Sequence, residues 1–530
     1  MNRSHATAWL VGICGCNGLF GMDDLQYQPA EQHDPSSSSS STGGGGPPGM
    51  VEPPCTPGVQ EICYSGAPDT DGVGPCVSGV RFCSEESEWG ECIGEVTPTV
   101  EDCDTAVVES CTLGPTCGDW VQAKTFGGKG DDELTAMTQD PDGALLLAGF
   151  HDEPCDFGGG LLEPETWSSP TAPDMFLAKL DADGEHVWSQ SFAHQGVVPR
   201  RGLALSAVGG HVTLLGTMTQ LQLGNTVIDS TGDWHGYVAS FSNEGAFEWA
   251  QPLSAWSVEI QDLAIDASGN VYVLAVISDD SLTIANAPIG VTMGAPVLAS
   301  FSPDGELDTV VPLEMFSGPT TFGSFSRSYR LALDSKGDAL VVGPAEETGI
   351  AAVTVTVQDD GFEIGSVKLI AEGSYGAVEA LDAIPGGDGF IVGGWTDEQG
   401  TFVAKLNGEA ETSWFLSIAD AANWQTRVTA AVARDDGAVV AGEFVEPITL
   451  GAFELEPEGY LSAFIARLDA DGSVLWARSF GASMDGGVWG LADSDSGNVI
   501  VAGNFATPID FGEGDVTPDG VDVFVAEIAY

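Results

Sequence analysis

The sequence predicts an all-β protein whose main domain is a seven-bladed β-propeller closed by its own N-terminal strand. Three patterns recur in fixed order after Trp120: an Asp/Gly turn with an apolar run, a short alternating strand, and a strand that usually carries tryptophan. The first two patterns occur seven times each and the third occurs six times. Such repeats predict four-stranded antiparallel units, with strands A to D in chain order, arranged in a ring.

The first pattern predicts the A–B turn and strand B. Asp bonds the local backbone of a tight turn, Gly adopts positive φ, and the apolar run that follows is typical of a buried strand. The copies are "DPDGALLLAGF" (Asp140), "VGGHVTLLGT" (Val208), "DASGNVYVLAV" (Asp266), "DSKGDALVVG" (Asp334), "GGDGFIVGGW" (Gly386), "RDDGAVVAGEF" (Arg434) and "DSGNVIVAGNF" (Asp495).

The second and third patterns predict strands C and D. Alternation along strand C indicates that both faces of each blade meet a neighbour, so even its polar positions should be partly buried. We expect the tryptophans of strand D, at positions 188, 249, 414 and 476, to fill space between blades rather than to bind a ligand. The strand C copies are "MFLAKL" (Met175), "GYVASF" (Gly236), "PVLASF" (Pro296), "AAVTVT" (Ala351), "TFVAKL" (Thr401), "AFIARL" (Ala463) and "VFVAEI" (Val523).

The stretch "DWVQAKTFGG" (Asp119–Gly128) matches strand D but has no repeat before it, whereas the last unit supplies only strands A, B and C. We therefore predict that Trp120–Phe126 completes the last blade. A ring closed in this way has no open sheet edge, and this removes an aggregation hazard.

The N-terminus predicts export. Arg3 precedes a short apolar run from Ala6 to Ile13, and the run is too short to span a bilayer. The following "ICGC" resembles a bacterial lipobox, which implies that Cys16 is lipidated and that residues 1–16 form the signal peptide. The alternative is ordinary secretion with cleavage elsewhere. Residues 17–54 are rich in Ser, Gly and Pro, so we predict a disordered tether.

Residues 55–118 predict a small disulfide-rich module. Eight cysteines lie between Cys55 and Cys117, and an even count behind a signal peptide favours four disulfides of open connectivity. Zinc is disfavoured because no Cys-x-x-Cys occurs. The acidic "DTDG" at Asp69 could bind calcium, but a plain turn is favoured. The module resembles Cys-rich modules that precede repeat domains in secreted bacterial surface proteins.

The charge balance bounds the partners. The chain has 79 Asp and Glu against 16 Lys and Arg, a formal net charge of −63. Nucleic acid and anionic membrane surfaces are therefore disfavoured partners, whereas cationic partners or divalent cations would be attracted.

The stretches "DMFLAKLDADGEHVWSQSF" and "SAFIARLDADGSVLWARSFG" carry the repeat best. They resemble the bacterial SBBP-type β-propeller repeat. The resemblance covers residues 119–530 and implies a seven-bladed propeller. That family carries no catalytic signature, so the resemblance implies no active site.

The sequence contains no recognised catalytic or cofactor-binding motif. His-Glu-x-x-His and Gly-x-Ser-x-Gly are absent, and "GGKGDD" at Gly127 lacks Walker spacing and is interpreted as a loop. The turns at Asp181 and Asp469 could bind calcium weakly but need no metal. The segment "HDEPCD" could ligate a metal through His151, Asp152, Glu153, Cys155 and Asp156, but a surface loop without a ligand is favoured, so no metal site is predicted.

We predict that a ligand would bind the propeller face made by the B–C and D–A loops. That face receives five long segments: 151–173, 218–235, 277–295, 445–462 and 506–521. Aromatic rings in or near them could anchor a protein or glycan. The alternative is that the long loops are tolerated insertions. The candidate residues are Trp167, Trp234, Trp256, Trp424 and Tyr460.

These features favour a non-catalytic binding or scaffold propeller, monomeric and tethered to the outer membrane or cell surface, or alternatively secreted. A second hypothesis is a secreted enzyme that acts on polysaccharide through loop carboxylates. A third is a component of an envelope assembly machine.

Overall fold

A computed structural model describes most of the chain after Pro54. The chain separates into two units, Met1–Pro54 and Cys55–Tyr530, and every described residue belongs to the second unit. The predicted signal peptide, Cys16, the tether, Trp167, Trp234, Trp256 and Trp424 lie outside the described residues. The residues that the structure describes are 55–66, 70–73, 76–97, 103, 117–164, 173–195, 203–208, 210–218, 220–223, 226–229, 235–255, 258–277, 282–284, 287–290, 294–316, 329–345, 348–358, 361–387, 389–421, 425–482, 487–512 and 514–530.

The described chain is all-β. The described residues form strands and no α-helix. Their one helical element is the short 3-10 helix Glu314–Phe316. In the part of the chain that the structure covers, no helix has the length and apolar character needed to cross a bilayer.

Consecutive strands pair as four-stranded antiparallel sets in the order A-B-C-D, as the repeats predict. Each B strand is an apolar run and is buried on both faces, because its set packs between two others. Set 1 comprises Gly130–Gln139, Leu145–His151, Asp174–Leu180 and His186–Phe192; set 2 comprises Leu203–Val208, His211–Met218, His235–Ser242 and Phe247–Ser254; set 3 comprises Val258–Ile265, Val271–Ile277, Pro296–Phe301 and Leu307–Pro312.

Sets 4 to 6 follow the same order. The D position of set 4 is divided into two short strands, which both pair with its long C strand. Set 4 comprises Arg330–Leu333, Ala339–Ala345, Gly349–Gln358, Gly361–Ile364 and Lys368–Glu372; set 5 comprises Gly376–Ala383, Phe390–Thr396, Gly400–Leu406 and Thr412–Ala419; set 6 comprises Arg427–Arg434, Gly437–Phe444, Leu461–Asp469 and Val474–Ala482.

Set 7 contains both ends of the β-domain. Its A, B and C strands are Gly487–Asp493, Val499–Phe505 and Gly520–Ile528, and its D strand is Trp120–Gly128. The register runs from Trp120 opposite Ile528 to Phe126 opposite Val523. The predicted pairing of the N-terminal strand with the last strand is therefore confirmed. The "GGKGDD" segment, however, is not a loop, because only Lys129 separates this D strand from the A strand of set 1.

The sets follow one another in a cyclic arrangement. Across the described residues, each A strand contacts the A strand of the next set, and the A strand of set 7 contacts that of set 1. Each buried apolar cluster is shared by two neighbouring sets, including one between sets 7 and 1. Burial between sets is therefore the main stabilising contribution, since no set has a core of its own.

The D-strand tryptophans pack between sets, as predicted. The Nε1 of Trp188 donates to the Asn243 carbonyl at 2.9 Å, and the Nε1 of Trp249 donates to the Pro303 carbonyl at 2.8 Å. Both acceptors lie in the C–D turn of the following set. Gly305 has a φ of +80° beneath the Trp249 ring, where a Cβ would lie only 2.5 Å from Cδ2. Glycine is thus required both by the turn and by the indole above it.

Disulfides cross-link the Cys-rich module, as its cysteine content predicts. Its regular structure is a hairpin of Gln60–Cys63 and Gly79–Phe82. Cys76 is also disulfide-bonded. The described pairs are Cys55–Cys83, Cys63–Cys92 and Cys103–Cys117.

Candidate functional site: an acidic cleft and a buried cluster

The five long B–C connections that were predicted as ligand-binding segments each contain a short hairpin. Each hairpin lies against the D strand, or the end of the D strand, of the preceding set. Apolar hairpin residues such as Leu221, Ile284 and Leu450 are buried in the adjoining clusters. The connections are therefore partly structural, which reduces the surface that they offer to a ligand. The hairpin strands are Cys155–Asp156 with Leu161–Leu162, Gln220–Leu223 with Thr226–Asp229, Thr283–Ile284 with Ala287–Pro288, Ile448–Leu450 with Phe453–Leu455, and Ile509–Asp510 with Asp515–Val516.

Tyr460 is the predicted ligand-face residue that falls within the described part of the chain. It lies in the B–C connection of set 6, and 67% of its side chain is exposed. An exposed tyrosine offers an apolar ring and a hydroxyl to a partner. The structure does not test the predicted grouping of Tyr460 with the four tryptophans.

A cleft of about 610 Å³ lies between the D strand of set 6 and the B–C hairpin of set 7. One of its lining residues, Glu458, is two positions before Tyr460 in the sequence. This volume is within the range of small-molecule and peptide sites. The ring of Trp120, which lines the cleft, meets the rings of Phe480 and Phe511 edge-on, with ring centroids 5.2 Å apart in both pairs. The lining residues are Asp119, Trp120, Glu458, Arg478, Ser479, Phe480, Gly481, Pro508, Ile509, Asp510, Gly512 and Asp515.

The cleft is predominantly acidic. Among the described lining residues, four are carboxylates and Arg478 is the single cation, which forms an ion pair with Asp119. Asp510 shapes the hairpin by accepting hydrogen bonds from the backbone of Gly512 at 2.7 Å and Gly514 at 2.9 Å. Glu458 and Asp515 are exposed, so they remain accessible to a cationic group.

A second group of polar side chains is buried where set 1 meets the N-terminal strand. Asp132, His151 and Cys155 are each 0% exposed, and one ligand atom of each lies within 4.8 Å of the others. Asp132 belongs to the A strand of set 1, and His151 ends its B strand. Cys155 pairs with Gly128 of the N-terminal strand.

Burial dominates the titration of this group. It raises the pKa of Asp132 to about 7, against a hydrogen bond from the Gly128 amide and with support from the charge of Asp522. Burial also lowers the pKa of His151 and raises that of the Cys155 thiol. A neutral buried thiol is a poor nucleophile, so the group does not resemble a catalytic cysteine site.

The favoured interpretation of "HDEPCD" as a surface loop is wrong for His151 and Cys155. His151 is held by the Glu153 carbonyl at 3.0 Å from Nδ1 and by Ser191 Oγ at 2.8 Å from Nε2. Asp156 instead forms a turn, accepting from the Gly158 and Gly160 amides. Sequence reasoning also missed Asp132, because 19 or more residues separate it from the other two. The signal that could have found it is the expected meeting of the first blade with the closing strand.

The Asp/Gly turns bond as predicted. Asp181 accepts from the amides of Asp183 at 3.1 Å and Glu185 at 2.8 Å, and Asp469 accepts from Asp471 and Ser473 in the same way. In the Cys-rich module, Asp71 accepts from Ser78 Oγ at 2.5 Å. These carboxylates thus accept hydrogen bonds from local backbone or side-chain donors, as expected of plain turns.

No family model matches the sequence, and no curated protein matches it. Solved structures match at low similarity. The WD40 repeats of RRP9 are 8% identical, cover 78% of this chain and 99% of that chain, and give a TM-score of 0.43. The periplasmic gluconolactonase PpgL of Pseudomonas aeruginosa is 11% identical, covers 77% of this chain and 92% of that chain, and gives a TM-score of 0.40.

Proposed function

We propose that the chain is an exported, lipid-tethered, non-catalytic binding or scaffold protein of the bacterial cell envelope, built on a seven-bladed β-propeller of the SBBP type. The cyclic contacts among the seven sets support the propeller. The lipobox-like "ICGC" and the disulfides support export and a tether at Cys16. The absence of a catalytic motif from the sequence supports binding rather than turnover.

The acidic cleft carries the binding part of this proposal. Its lining combines two exposed carboxylates, Glu458 and Asp515, with the rings of Trp120 and Phe480, and Tyr460 lies two residues beyond Glu458 in the sequence. This combination suits a cationic segment of a protein ligand, whose basic groups would meet the carboxylates and whose apolar parts would meet the ring faces. The net charge of −63 would accelerate the encounter at low salt.

A labelled hexalysine peptide tests the cleft. We expect Glu458→Gln with Asp515→Asn to weaken its binding about tenfold, or about 1.4 kcal/mol, at moderate salt. Fluorescence anisotropy measures the affinity. The matched control is Glu244→Gln with Asp471→Asn, which removes two carboxylates from C–D turns. Equal weakening by both double variants would show that the peptide reads only the overall charge, and would contradict the proposed site.

The tether has its own test. We expect Cys16→Ser to move the protein from the membrane fraction to the soluble fraction of an expressing bacterium, because two acyl chains would be lost. Cys14→Ser is the matched control. Incorporation of labelled palmitate measures acylation. A Cys16→Ser protein that stays in membranes would contradict the lipid anchor.

A further inference from the structure

We propose that Asp132, His151 and Cys155 bind a structural zinc ion where set 1 meets the N-terminal strand, with the Asp522 carboxylate nearby as additional negative charge. This inference concerns the stability of the ring and is independent of the proposed binding function.

The donors are already gathered. Their ligand atoms lie within 4.8 Å of one another. Zinc bonds of 2.0–2.3 Å place tetrahedral ligand atoms roughly 3.3–3.8 Å apart, so only small side-chain rotations are needed. His151 would keep a hydrogen bond from the nitrogen that does not bind the ion, either to Ser191 or to the Glu153 carbonyl. Such a bond fixes the ring orientation, as is usual for histidine ligands.

An unpartnered buried carboxylate oxygen points to a ligand. Asp132 is fully buried, and its Oδ2 accepts from the Gly128 amide at 2.7 Å, whereas its Oδ1 has no hydrogen-bond partner among the described residues. A buried polar atom without a partner is unfavourable and rare in native proteins. Coordination to a cation inside the group would satisfy this oxygen.

Asp522 gives a second, separate indication. Its Oδ1 is also buried without a hydrogen-bond partner, and it approaches the same point above Gly127 as Asp132. A Cβ on Gly127 would collide with Asp522 Oδ1 and lie 3.0 Å from Asp132 Oδ2. Neither carboxylate forms an ion pair with a described lysine or arginine. Two neighbouring carboxylates are therefore left without a countercharge that a divalent ion would supply.

The donor chemistry selects the ion. A thiolate and an imidazole favour zinc, whereas calcium and magnesium require oxygen ligands. The burial of all three donors favours a structural role for the ion over one that needs access from solvent. The ion would connect the A and B strands of set 1 with Cys155, which pairs with the N-terminal strand.

Cobalt titration of the purified full chain tests the proposal after chelator treatment. We expect one equivalent of Co²⁺ to produce a thiolate-to-cobalt charge-transfer band that Zn²⁺ abolishes, and zinc to raise the unfolding temperature. The band distinguishes this site from ions held by surface carboxylates. Cys155→Ser and Asp132→Asn should weaken zinc binding at least tenfold, whereas Asp382→Asn, which removes a buried carboxylate elsewhere, should leave it unchanged.

A measurement on the unmodified protein covers the case in which these variants fail to fold. Zinc should slow the alkylation of Cys155 at least tenfold in native protein, as followed by peptide mapping. Three results would each overturn the proposal: cobalt binding without the charge-transfer band, folded Cys155→Ser or Asp132→Asn that binds zinc as tightly as the parent, or an alkylation rate that zinc does not change.

Discussion

The junction between sets 1 and 2 and the junction between sets 6 and 7 make the same contact from different chain connectivity. In the first, the ring of Trp188 covers Gly245 of a continuous C–D turn. In the second, the ring of Trp476 covers Gly118, which belongs to the segment that enters the N-terminal strand. The two glycines have φ values of +80° and +78°. The packing between sets therefore imposes the glycine conformation even where no covalent turn exists.

The hydrogen bonds of the two junctions also correspond. In the continuous turn, the Gly245 amide donates to the Ser242 carbonyl at 2.9 Å, and the Ser242 amide donates to the Ala246 carbonyl at 2.8 Å. We call the junction between sets 6 and 7, where both ends of the β-domain meet, the seam. At the seam, the Gly118 amide donates to the Ala529 carbonyl at 2.8 Å, and the Ala529 amide donates to the Asp119 carbonyl at 2.9 Å. Two distant parts of the chain thus reproduce one turn.

The junctions differ in the indole bond. Trp188 Nε1 donates to the Asn243 carbonyl, whereas Trp476 Nε1 is buried and has no hydrogen-bond partner in the described part of the chain. Leaving a buried donor unpaired is unfavourable by about 1–3 kcal/mol. The seam therefore keeps the packing of a normal junction and loses its most directional bond.

Other contacts strengthen the seam. The Cys103–Cys117 disulfide precedes Gly118 directly. On the other side, the ring of Tyr530 lies between the guanidinium groups of Arg434 and Arg467, each 3.7 Å from its centroid. Such cation–π contacts contribute about 0.5–2 kcal/mol each. Both chain segments of the seam are thus held by interactions that an ordinary junction does not need.

The largest effect should come from removing the strand that makes the seam. Deletion of residues 119–128 exposes the C strand Gly520–Ile528 as an open edge, so we expect aggregation and loss of cooperative unfolding. Size-exclusion chromatography and thermal denaturation measure both. Deletion of ten residues from the Ser/Gly-rich segment, 36–45, is the matched control. A monodisperse, cooperatively unfolding 119–128 deletion would show that the N-terminal strand is dispensable.

Alanine at the covered glycines should have the next largest effect. Gly245→Ala and Gly118→Ala place a Cβ 3.0 Å from the tryptophan ring at positive φ, whereas Gly497→Ala meets nothing within 4 Å at a φ of +88°. We expect the first two to destabilise the fold by roughly 1–2 kcal/mol more than Gly497→Ala, because they add overpacking to backbone strain. Denaturant unfolding measures this. If Gly118→Ala matches Gly497→Ala, the seam packs more loosely than a continuous junction.

The smallest effect should distinguish the two indoles. Phenylalanine keeps most of the ring contact but lacks the N–H donor. We therefore expect Trp188→Phe to destabilise the fold by about 1 kcal/mol more than Trp476→Phe, since only Trp188 loses a hydrogen bond. Denaturant midpoints at equal m-values measure the difference. Equal losses would mean that Trp476 has an acceptor in solution.

Local pattern was sufficient for most of the fold. Period-two alternation and Asp/Gly turns predicted the strands, and the unpaired D-type segment at Trp120 predicted its partner near Ile528. These features succeed because a strand and its turn are encoded within about ten residues. The B–C hairpins were missed as structural elements, because their burial depends on the D strand of a different set.

The candidate sites depended more on tertiary structure. Tyr460 could be chosen from sequence as an exposed ring. The acidic cleft could not, because its lining combines residues as distant in sequence as Asp119 and Asp515. Cys155 was recognisable from sequence as a possible metal ligand, yet its burial with Asp132 follows from the return of the N-terminal strand to the last set. No local pattern encodes such a meeting.

The sequence by itself determined the all-β class, the repeated unit, the strand that closes the last set and the presence of disulfides in residues 55–117. The tertiary structure alone decided which insertions become packed hairpins, which carboxylates lose contact with water, and where a single junction lacks its indole acceptor. The physical reason is range. Propensity, alternation and turn chemistry act between near neighbours, whereas desolvation and side-chain convergence depend on which distant surfaces pack together.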